Sequence, residues 1–221
     1  PRQGSMSGSS RVVVAAGAAL ALGGLALAEM YRRLKRAIDE VAAREQIQEF
    51  AALYTRGIDR LDPVMLRMPF CEDATMDVPN LDRLEPIMAF SEGATGFLRA
   101  TLVCSMHNLT NSHVIFDAAM KTAKSEIYFI ANHFKKVDDK VVNAAVFGRY
   151  CDEWVKKKDG KFYIQKRKLM YDFHDQSWNK TVTAAQTDDN VKSKPVQARK
   201  ENIGTRDKTD FIYDHLFPEL K

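Results

Sequence analysis

Four long runs of strand-forming residues follow one another through the second half of this chain. They are rich in Val, Ile, Phe and Tyr, which fit a pleated, half-buried surface, and they cover His107–Phe116, Lys121–Lys136, Val141–Lys157 and Lys161–Phe173. Turn signals at Val137-Asp-Asp and at Lys158-Asp-Gly160 separate the later runs, and Asp-Gly between two such runs is a good hairpin signal. The succession predicts an antiparallel meander that needs a hydrophobic partner on one face.

Helices that precede the strands supply that partner. Within the predicted helix Ala37–Ile58, apolar residues recur at three- and four-residue steps, which is typical of an amphipathic helix. They are Ile47, Phe50, Ala51, Tyr54, Ile58 and, just beyond, Leu61. Gly57 weakens the last turn, and Asp62-Pro63 then starts a short second helix that ends near Met68, because Asp is a good cap and proline is tolerated in a first turn.

Two further segments complete the region before the strands. Cys71–Val78 is short and β-capable, and Leu84–Leu102 has a helical pattern with Pro86 where a first turn accepts it. Helices followed by a meander of long strands define the α+β class. We therefore expect a curved antiparallel sheet wrapped around the N-terminal helices.

The N-terminus carries the most apolar stretch of the chain. Residues 1–5 are interpreted as a cloning or upstream remnant before a start at Met6. Val12–Ala28 then runs for about 17 residues without a polar side chain, the low end of what a bilayer requires. A basic flank follows at Arg32, Arg33, Lys35 and Arg36. We expect residues 6–36 to be a membrane anchor that leaves the main domain facing the cytosol.

Two alternatives for this segment stay open. Ala26-Leu27-Ala28 matches the small-residue pattern of a signal-peptide cleavage site, and cleavage at Ala28 makes the protein secreted or lumenal. The segment is also rich in Ala and Gly and weakly hydrophobic for a span, so a helix packed on the protein is the second alternative.

The composition excludes several classes of function. The net charge is +4 over 221 residues, with basic and acidic residues interleaved, so we expect no nucleic-acid partner. Cys71, Cys104 and Cys151 are widely spaced and form no CxxC pair, which favours reduced thiols. No HxxxH or clustered carboxylate pattern accompanies the histidines, and there is neither a Gly-rich phosphate loop nor a nucleophile elbow. We expect no metal and no cofactor.

The domain organisation follows from these changes in composition. Residues 37–175 are predicted to form the main domain, and residues 176–221 a C-terminal extension. The extension begins with a polar, featureless stretch from about Gln176 to Lys200, which is predicted to be flexible. It ends with Gly204–Phe217, which has enough aromatic residues to dock on the domain.

An ordered set of local strings resembles the SnoaL-like branch of the nuclear-transport-factor-2-like (NTF2-like) superfamily. That branch includes scytalone dehydratase, bile-acid 7α-dehydratase, hexachlorocyclohexane dehydrochlorinase and ketosteroid-isomerase relatives. The matching strings are Ala51-Ala-Leu-Tyr-Thr-Arg-Gly-Ile-Asp-Arg-Leu-Asp62, Phe70-Cys-Glu-Asp-Ala-Thr-Met-Asp77, His107-Asn-Leu-Thr-Asn111, Glu153-Trp-Val-Lys-Lys-Lys-Asp-Gly-Lys-Phe-Tyr-Ile164 and Gly204-Thr-Arg-Asp-Lys-Thr-Asp-Phe-Ile-Tyr213. The likeness covers roughly Ala37 to Phe217, and the set as a whole carries it.

The resemblance implies a fold and a catalytic pair. The implied fold is a cone-shaped α+β barrel in which the first helix ends with an aspartate at the mouth of an apolar cavity and a strand histidine faces it. Those residues are Asp59 and His107 here, and their sequence separation suits the dehydrochlorinase-like arrangement. His107 is then the general base, Asp59 orients it and stabilises its charge, and Tyr54 matches a tyrosine that donates a hydrogen bond to a substrate oxygen. Tyr54 lies about 140° from Asp59 around an ideal helix.

Further residues are predicted to line the cavity. Strand alternation puts five residues on one face, namely His107, Leu109, Asn111, His113 and Ile115, so Asn111 is placed near substrate. His133 is a second imidazole, as in scytalone dehydratase. Tyr128 is also predicted to line the cavity, although its odd spacing from His133 requires a bulge. Arg149, Arg167 or Lys168 offers a cation for an oxyanion or leaving group, although such residues more often lie on the solvated sheet face.

These observations lead to two hypotheses of function. The first is a cofactor-independent lyase or isomerase, dehydratase-like, that removes a proton from a lipophilic, cyclic metabolite. The alternative is a non-catalytic NTF2-like module that binds a hydrophobic ligand or a protein partner and is tethered to a membrane through residues 12–28. Because members of this superfamily often pair through the open sheet face, a homodimer is expected as well.

Overall fold

The computed structural model describes residues 8–79, 81–175 and 210–220, with side chains for residues 23–79, 81–172 and 210–219. Its elements are α1 Gly8–Asp59, α2 Pro63–Arg67, β1 Phe70–Asp77, β2 Glu85–Pro86, α3 Ile87–Thr101, β3 Cys104–Phe116, β4 Thr122–Val137, β5 Lys140–Lys156, β6 Phe162–Asp175 and α4 Phe211–His215, followed by a 3-10 turn at Pro218–Leu220. The predicted flexible stretch from Gln176 to Lys200 lies outside the described residues.

The chain divides into two compact units, Pro1–Ala42 and Ala43–Lys221. The described side chains of the first unit form exposed ion pairs along α1, such as Lys35 with Asp39 and Arg36 with Glu40, one helical turn apart. Among the residues that the structure describes, no helix combines the length and hydropathy needed to cross a membrane. Anchoring through residues 12–28 therefore stays a prediction, and the predicted domain boundaries stay predictions as well.

The second unit is built on one curved sheet of six strands, which does not close into a complete barrel. The strand order is β2-β1-β6-β5-β4-β3. The last four strands pair as an antiparallel meander, as predicted. β1 differs from the predicted all-antiparallel sheet because it lies parallel to β6, while the two-residue strand β2 pairs with it on the other side. The α+β class is confirmed.

One face of α1 forms the core with the concave side of the sheet. Ile47, Ala51, Tyr54 and Ile58 are buried at three- and four-residue steps, as the sequence pattern predicts. They pack with inward-facing strand residues that include Phe129, Trp154 and Ile164, and Phe50 and Leu61 lie partly buried at the margin. The end of α1 is thus held against the sheet.

The helix boundaries differ from prediction where local signals compete. Asp62 caps α2 as predicted, because its Oδ1 accepts hydrogen bonds from the backbone of Val64 at 3.0 Å and of Met65 at 2.9 Å. Pro86 does not lie in the first turn of α3; it forms the cap position and pairs with Thr75 of β1. α1 extends well beyond the predicted Ala37–Ile58, because the apolar N-terminal segment continues the same helix.

A bulge in β3 changes which residues face the core. Leu109 pairs with Phe129 of β4, but the next described pair joins Ser112 to Ile127, so one extra β3 residue is accommodated between them. Beyond the bulge, Val114 is the buried residue. The prediction that alternate residues from His107 to Ile115 share one face is therefore wrong after Leu109, because each extra residue reverses the alternation.

Gly57 is required by close packing between α1 and α2. A Cβ added at Gly57 lies 2.6 Å from the Cα atom of Leu66, a distance at which the helices must separate. Although alanine favours helix more than glycine, we expect Gly57→Ala to lower the free energy of unfolding by about 1–3 kcal/mol, because overpacking exceeds the propensity gain. Urea denaturation of the full chain measures this change.

Gly93 of α3 is the matched control, since a Cβ there meets nothing within 4 Å. Gly93→Ala is expected to raise the free energy of unfolding by about 0.5–1 kcal/mol. Equal stabilisation by the two substitutions contradicts the packing explanation for Gly57.

Candidate active site

Asp59 and His107 are brought into contact where the end of α1 meets the start of β3. The Oδ1 atom of Asp59 lies 2.7 Å from the Nδ1 atom of His107, and its Oδ2 atom accepts the backbone N–H of His107 at 2.8 Å. The hydroxyl of Ser105 donates to Oδ1 at 2.8 Å. Three hydrogen bonds from one strand therefore hold the carboxylate of the helix end.

The contact determines which nitrogen of His107 is able to accept a proton. An ionised carboxylate only accepts hydrogen bonds, so the Nδ1 atom of His107 carries hydrogen toward Asp59. In the neutral imidazole, the Nε2 atom is then unprotonated and basic. The side chains of His107 and Asp59 are only 6% and 12% exposed. This arrangement is capable of general-base chemistry in a largely dry environment.

The electrostatics of Asp59 favour its ionised form. Burial raises the pKa of this carboxyl, but the hydrogen bonds from His107 and Ser105 outweigh burial and the pKa is lowered overall. A carboxyl whose pKa falls on folding adds stability above its unfolded pKa and loses that contribution as pH falls through the folded value. Asp59 thus stabilises the fold at neutral pH and less so in acid.

We expect Asp59→Asn to lower the free energy of unfolding at pH 7 by about 1–3 kcal/mol, because buried hydrogen-bond donors lose a charged acceptor. The difference in free energy of unfolding between wild type and variant is expected to shrink as the pH drops below the ordinary aspartate pKa of about 3.9. Urea denaturation from pH 7 to 3 measures it, with Asp82→Asn as an exposed control. A gap that is constant across this range contradicts the lowered pKa.

His133 lies beside the pair, and its role as a second imidazole stays a prediction. Its ring centroid is 5.6 Å from that of His107 in an edge-on arrangement. The register of β3 and β4 explains the proximity, since His133 pairs with Ser105 on the same face. The site therefore places a second imidazole next to the His107 ring, while Ser105 and His107 contact the carboxylate.

Two predicted cavity residues lie elsewhere. Asn111 is exposed and falls within the β3 bulge, which removes it from the alternation that defines the inner face. Tyr128 is 39% exposed on the opposite face of the sheet from His133, because β4 pairs with β5 without any shift of register between them. The predictions that Asn111 and Tyr128 line the cavity with His107 are wrong.

Tyr54 lies in a buried aromatic cluster around Arg167. The guanidinium carbon of Arg167 is 4.2 Å from the ring centroid of Tyr54 and 4.3 Å from that of Tyr150, and Phe70 packs on the same group. Burial raises the pKa of Tyr54, and the positive charge of Arg167 partly offsets this effect. The hydroxyl is thus kept protonated and able to donate. Its contact with substrate stays a prediction.

Arg167 is neutralised by Asp152 in the same region. Its Nε and Nη2 atoms donate to the two carboxylate oxygens at 2.7 and 2.8 Å, and both side chains are 0% exposed. Burial lowers the pKa of Arg167, but Asp152 outweighs it and the pKa is raised overall. Among the described residues, its Nη1 atom is buried without a hydrogen-bond partner. A buried donor of this kind is suited to an oxygen of a bound molecule.

The three cations considered from the sequence lie in different places. Arg167 faces the core, whereas Arg149 is buried on the outer face of the sheet, and Lys168 pairs with Asp77 at 3.4 Å. The expectation of a solvated face fails for both arginines, because carboxylates on neighbouring strands and at the cap position of α4 compensate their burial. Ser105 and Asp152 were missed by sequence reasoning; Ser105 shares strand parity with His107, which is the only signal that pointed to it.

A half-open, mostly apolar cleft lies between α3 and the segment that follows β1. Its volume is about 690 Å³, within the range of small-molecule sites. Its lining residues are Val78, Leu81, Asp82, Arg83, Glu85, Ala89, Phe90, Gly93, Ala94 and Phe97. Asp59, His107, Tyr54 and His133 are not among them. Within the described ranges, no group of three metal-ligating side chains converges.

The comparison with protein families identifies the class of this protein. The SnoaL-like domain family matches residues 39–168, which is more than half of the chain. The chain belongs to the SnoaL-like domain family, as the sequence resemblance predicted. No curated protein sequence matches it.

Solved structures share the fold at low sequence identity. A protein of Novosphingobium aromaticivorans, provisionally described as a scytalone dehydratase, has a TM-score of 0.54 and 18% identity over 63% of this chain and 90% of its own. The Kfla4162 protein of Kribbella flavida has a TM-score of 0.55 and 18% identity over 63% of this chain and 97% of its own. The hexachlorocyclohexane dehydrochlorinase LinA-type3 of Novosphingobium barchaimii has a TM-score of 0.53 and 15% identity over 63% of this chain and 92% of its own. These structures show that this chain shares its fold with them.

Proposed function

We propose that this protein is a cofactor-independent lyase or isomerase that removes a proton from a lipophilic, cyclic metabolite. The observation that carries the proposal is the contact of 2.7 Å between Asp59 Oδ1 and His107 Nδ1, with both side chains largely buried. The shared fold with a dehydrochlorinase supports the same class of chemistry, although it does not select a substrate.

In the proposed reaction, the Nε2 atom of His107 takes a proton from a carbon next to an activating group. The electrons of the C–H bond then form a double bond, and either a neighbouring leaving group departs with its electron pair or an enolate forms. Asp59 stabilises the imidazolium that results, as a buried carboxylate does for a charged partner. The proton returns to the leaving group, to another carbon of the substrate or to water.

The oxygen or leaving group that gains negative charge needs a donor. Arg167 is suited to that role because its Nη1 atom is buried and unpartnered among the described residues, and Tyr54 stacks against the same guanidinium. Fixed donors in a water-poor site stabilise developing charge more strongly than water does. We assign Tyr54 and Arg167 to this role and His133 to orienting the substrate or the His107 ring.

The test is turnover of a defined panel by the purified full-length protein. Scytalone, hexachlorocyclohexane and a β,γ-unsaturated 3-ketosteroid each present an acidic C–H in a lipophilic ring, and their products are separable by mass spectrometry or absorbance. Thermal shift with the same panel detects binding independently. Turnover by His107→Ala at the wild-type level contradicts the assignment of His107 as the general base.

The rival function is ligand binding without catalysis. The cleft of about 690 Å³ favours it, because this apolar space is lined by residues other than the Asp59–His107 pair. A compound from the panel that raises the melting temperature equally in wild type and His107→Ala, with no product, supports the binding module. If ligands bind in the cleft, Phe90→Ala widens it and lowers the affinity for the compound that binds. If ligands bind beside His107 instead, Phe90→Ala leaves the affinities for the panel compounds unchanged.

Membrane tethering through residues 12–28 and a cytosol-facing domain complete the proposal. Their support is the apolar run and its basic flank. Fractionation of the full-length protein beside a version that starts at Met30 tests them: the longer chain is expected in the membrane pellet and the shorter one in the supernatant. A soluble longer chain of unchanged mass contradicts the anchor, and loss of residues up to Ala28 indicates signal-peptide cleavage.

A further inference from the structure

The outer face of the sheet carries a second, smaller core that involves the end of the chain. Cys151 of β5 and Met170 of β6 are buried there together with Ile212 and Leu216 of the C-terminal segment. We call residues Asp210–Phe217 the clasp. Its aromatic residues, Phe211, Tyr213 and Phe217, pack around this core and remain partly exposed. The clasp therefore covers part of the face on which a second copy was expected to pair, and the homodimer stays a prediction.

A buried arginine anchors the start of the clasp. The Nη1 and Nη2 atoms of Arg149 donate to the two carboxylate oxygens of Asp210 at 3.0 and 2.9 Å. Asp210 also accepts the backbone N–H of Ile212 at 2.9 Å, so the same carboxylate caps α4. Glu126 and Asp172 complete the surroundings of Arg149 from the sheet. Docking of the clasp and formation of its helix thus depend on one side chain.

Additional contacts extend the clasp over four strands. The Nζ atom of Lys168 on β6 lies 4.7 Å from the ring centroid of Phe211, and the ring centroid of His113 on β3 lies 5.3 Å from that of Phe217, with the two rings tilted by 33°. The Nε2 atom of His215 lies 3.3 Å from the carbonyl oxygen of Ser125 on β4. A charged anchor, two apolar side chains and ring contacts are the features of a site that recognises a short helical peptide.

We propose that the outer sheet face around Arg149 is a recognition surface for a short, aspartate-capped helix, and that the clasp is its tethered, exchangeable occupant. Two observations favour reversible docking. α4 has only five residues, which is too short for a stable helix without the sheet. The clasp is separated from β6 by 34 residues of sequence, 176–209, so docking of the clasp closes a long loop and this closure costs conformational entropy. The proposal does not depend on the enzymatic function.

The three cysteines are built-in reporters for the proposal. Cys151 is covered by the clasp, Cys71 is buried in the main core, and Cys104 is exposed. Burial also raises the pKa of the Cys151 thiol, which suppresses its reactivity while the clasp is docked. Local opening of the clasp exposes Cys151 alone, whereas global unfolding exposes Cys71 as well.

The experiment is alkylation of the native full-length protein with iodoacetamide, followed by mass spectrometry of each cysteine peptide. We expect Cys104 to react first and Cys151 at least about tenfold faster than Cys71. Asp210→Asn is expected to accelerate Cys151 labelling about 10- to 100-fold, because Arg149 loses its charged partner in the clasp. The rate at Cys71 stays unchanged, which shows that the main core is intact.

Asp214→Asn is the matched control, because it removes the same charge from an exposed position of the same helix. It is expected to change the Cys151 rate by less than about threefold. Ile212→Ala serves as a second opening variant that leaves the Arg149 anchor in place. Equal rates at Cys151 and Cys71 in the wild type, or no acceleration in either opening variant, overturn the proposal of independent docking.

Recognition of the segment in trans is tested in the Asp210→Asn variant. A synthetic peptide of residues 208–219 at about 1 mM is expected to restore protection of Cys151, whereas the same peptide with Asp210→Asn is not. Protection that increases with protein concentration also supports the recognition surface, since the clasp is then supplied by a second copy. A wild-type peptide that leaves Cys151 labelling unchanged overturns the proposed recognition surface.

Discussion

Replacement of His107 by alanine is expected to lower kcat/KM on a compound turned over from the proposed panel by about 10²–10⁴-fold, while the fold is retained. Removal of a positioned general base typically costs this factor. Asp59 holds this imidazole at 2.7 Å through its Nδ1 atom, which fixes the position of the Nε2 atom. Initial rates at several substrate concentrations separate kcat from KM.

His113→Ala is the matched control, because His113 lies on the same strand beyond the bulge and contacts the clasp rather than Asp59. It is expected to leave turnover unchanged within about twofold, far below the loss for a catalytic base. Asp59→Asn is expected to lower kcat more than KM, since the positive charge on His107 that Asp59 stabilises develops only during the reaction. Equal losses in His107→Ala and His113→Ala point to structural damage and contradict the catalytic assignment.

Replacement of Asp152 by asparagine is expected to lower the free energy of unfolding by about 3–5 kcal/mol, the largest effect on stability that we predict. Asp152 accepts two hydrogen bonds from Arg167, and both side chains are fully buried. The variant leaves the positive charge of Arg167 inside the aromatic cluster without a compensating carboxylate. Urea denaturation at pH 7 measures the loss.

Asp77→Asn provides the comparison, because Asp77 pairs with Lys168 at 3.4 Å and both side chains remain partly exposed. Its expected cost is about 0–1 kcal/mol. A double variant, Asp152→Leu with Arg167→Met, is expected to recover most of the stability lost in Asp152→Asn, since apolar side chains of similar size need no charge compensation. A cost for Asp152→Asn no larger than that for Asp77→Asn contradicts the role of the buried pair.

Much of the fold was predictable from local patterns. The helical period of Ile47, Ala51 and Tyr54 identified the buried face of α1, and the long runs of β-branched and aromatic residues located β3 to β6. The hairpin between β5 and β6 was marked by Gly160, which has a φ of 83°. These signals are local, so they are readable without knowledge of the rest of the chain.

Other features depend on contacts that no local pattern encodes. The β3 bulge at Thr110 and Asn111 contains neither glycine nor proline, and it reversed the predicted facing of His113 and Val114. The placement of Tyr54 against Arg167 likewise depends on how α1 crosses the sheet. Sequence reasoning therefore anticipated the contact between Asp59 and His107 but misplaced Asn111 and Tyr128, whose facing depends on strand register.

The sequence by itself determined the order of helices and strands, the face of α1 that is buried and the residue types available for acid–base chemistry. These follow from side-chain periodicity and from the chemistry of each residue. Only the tertiary structure decided that Ser105 joins Asp59 and His107, that Asp152 neutralises Arg167 and that Asp210 closes on Arg149. Each of these contacts joins separate elements, and burial makes such pairing obligatory because an isolated charge in the interior is too costly.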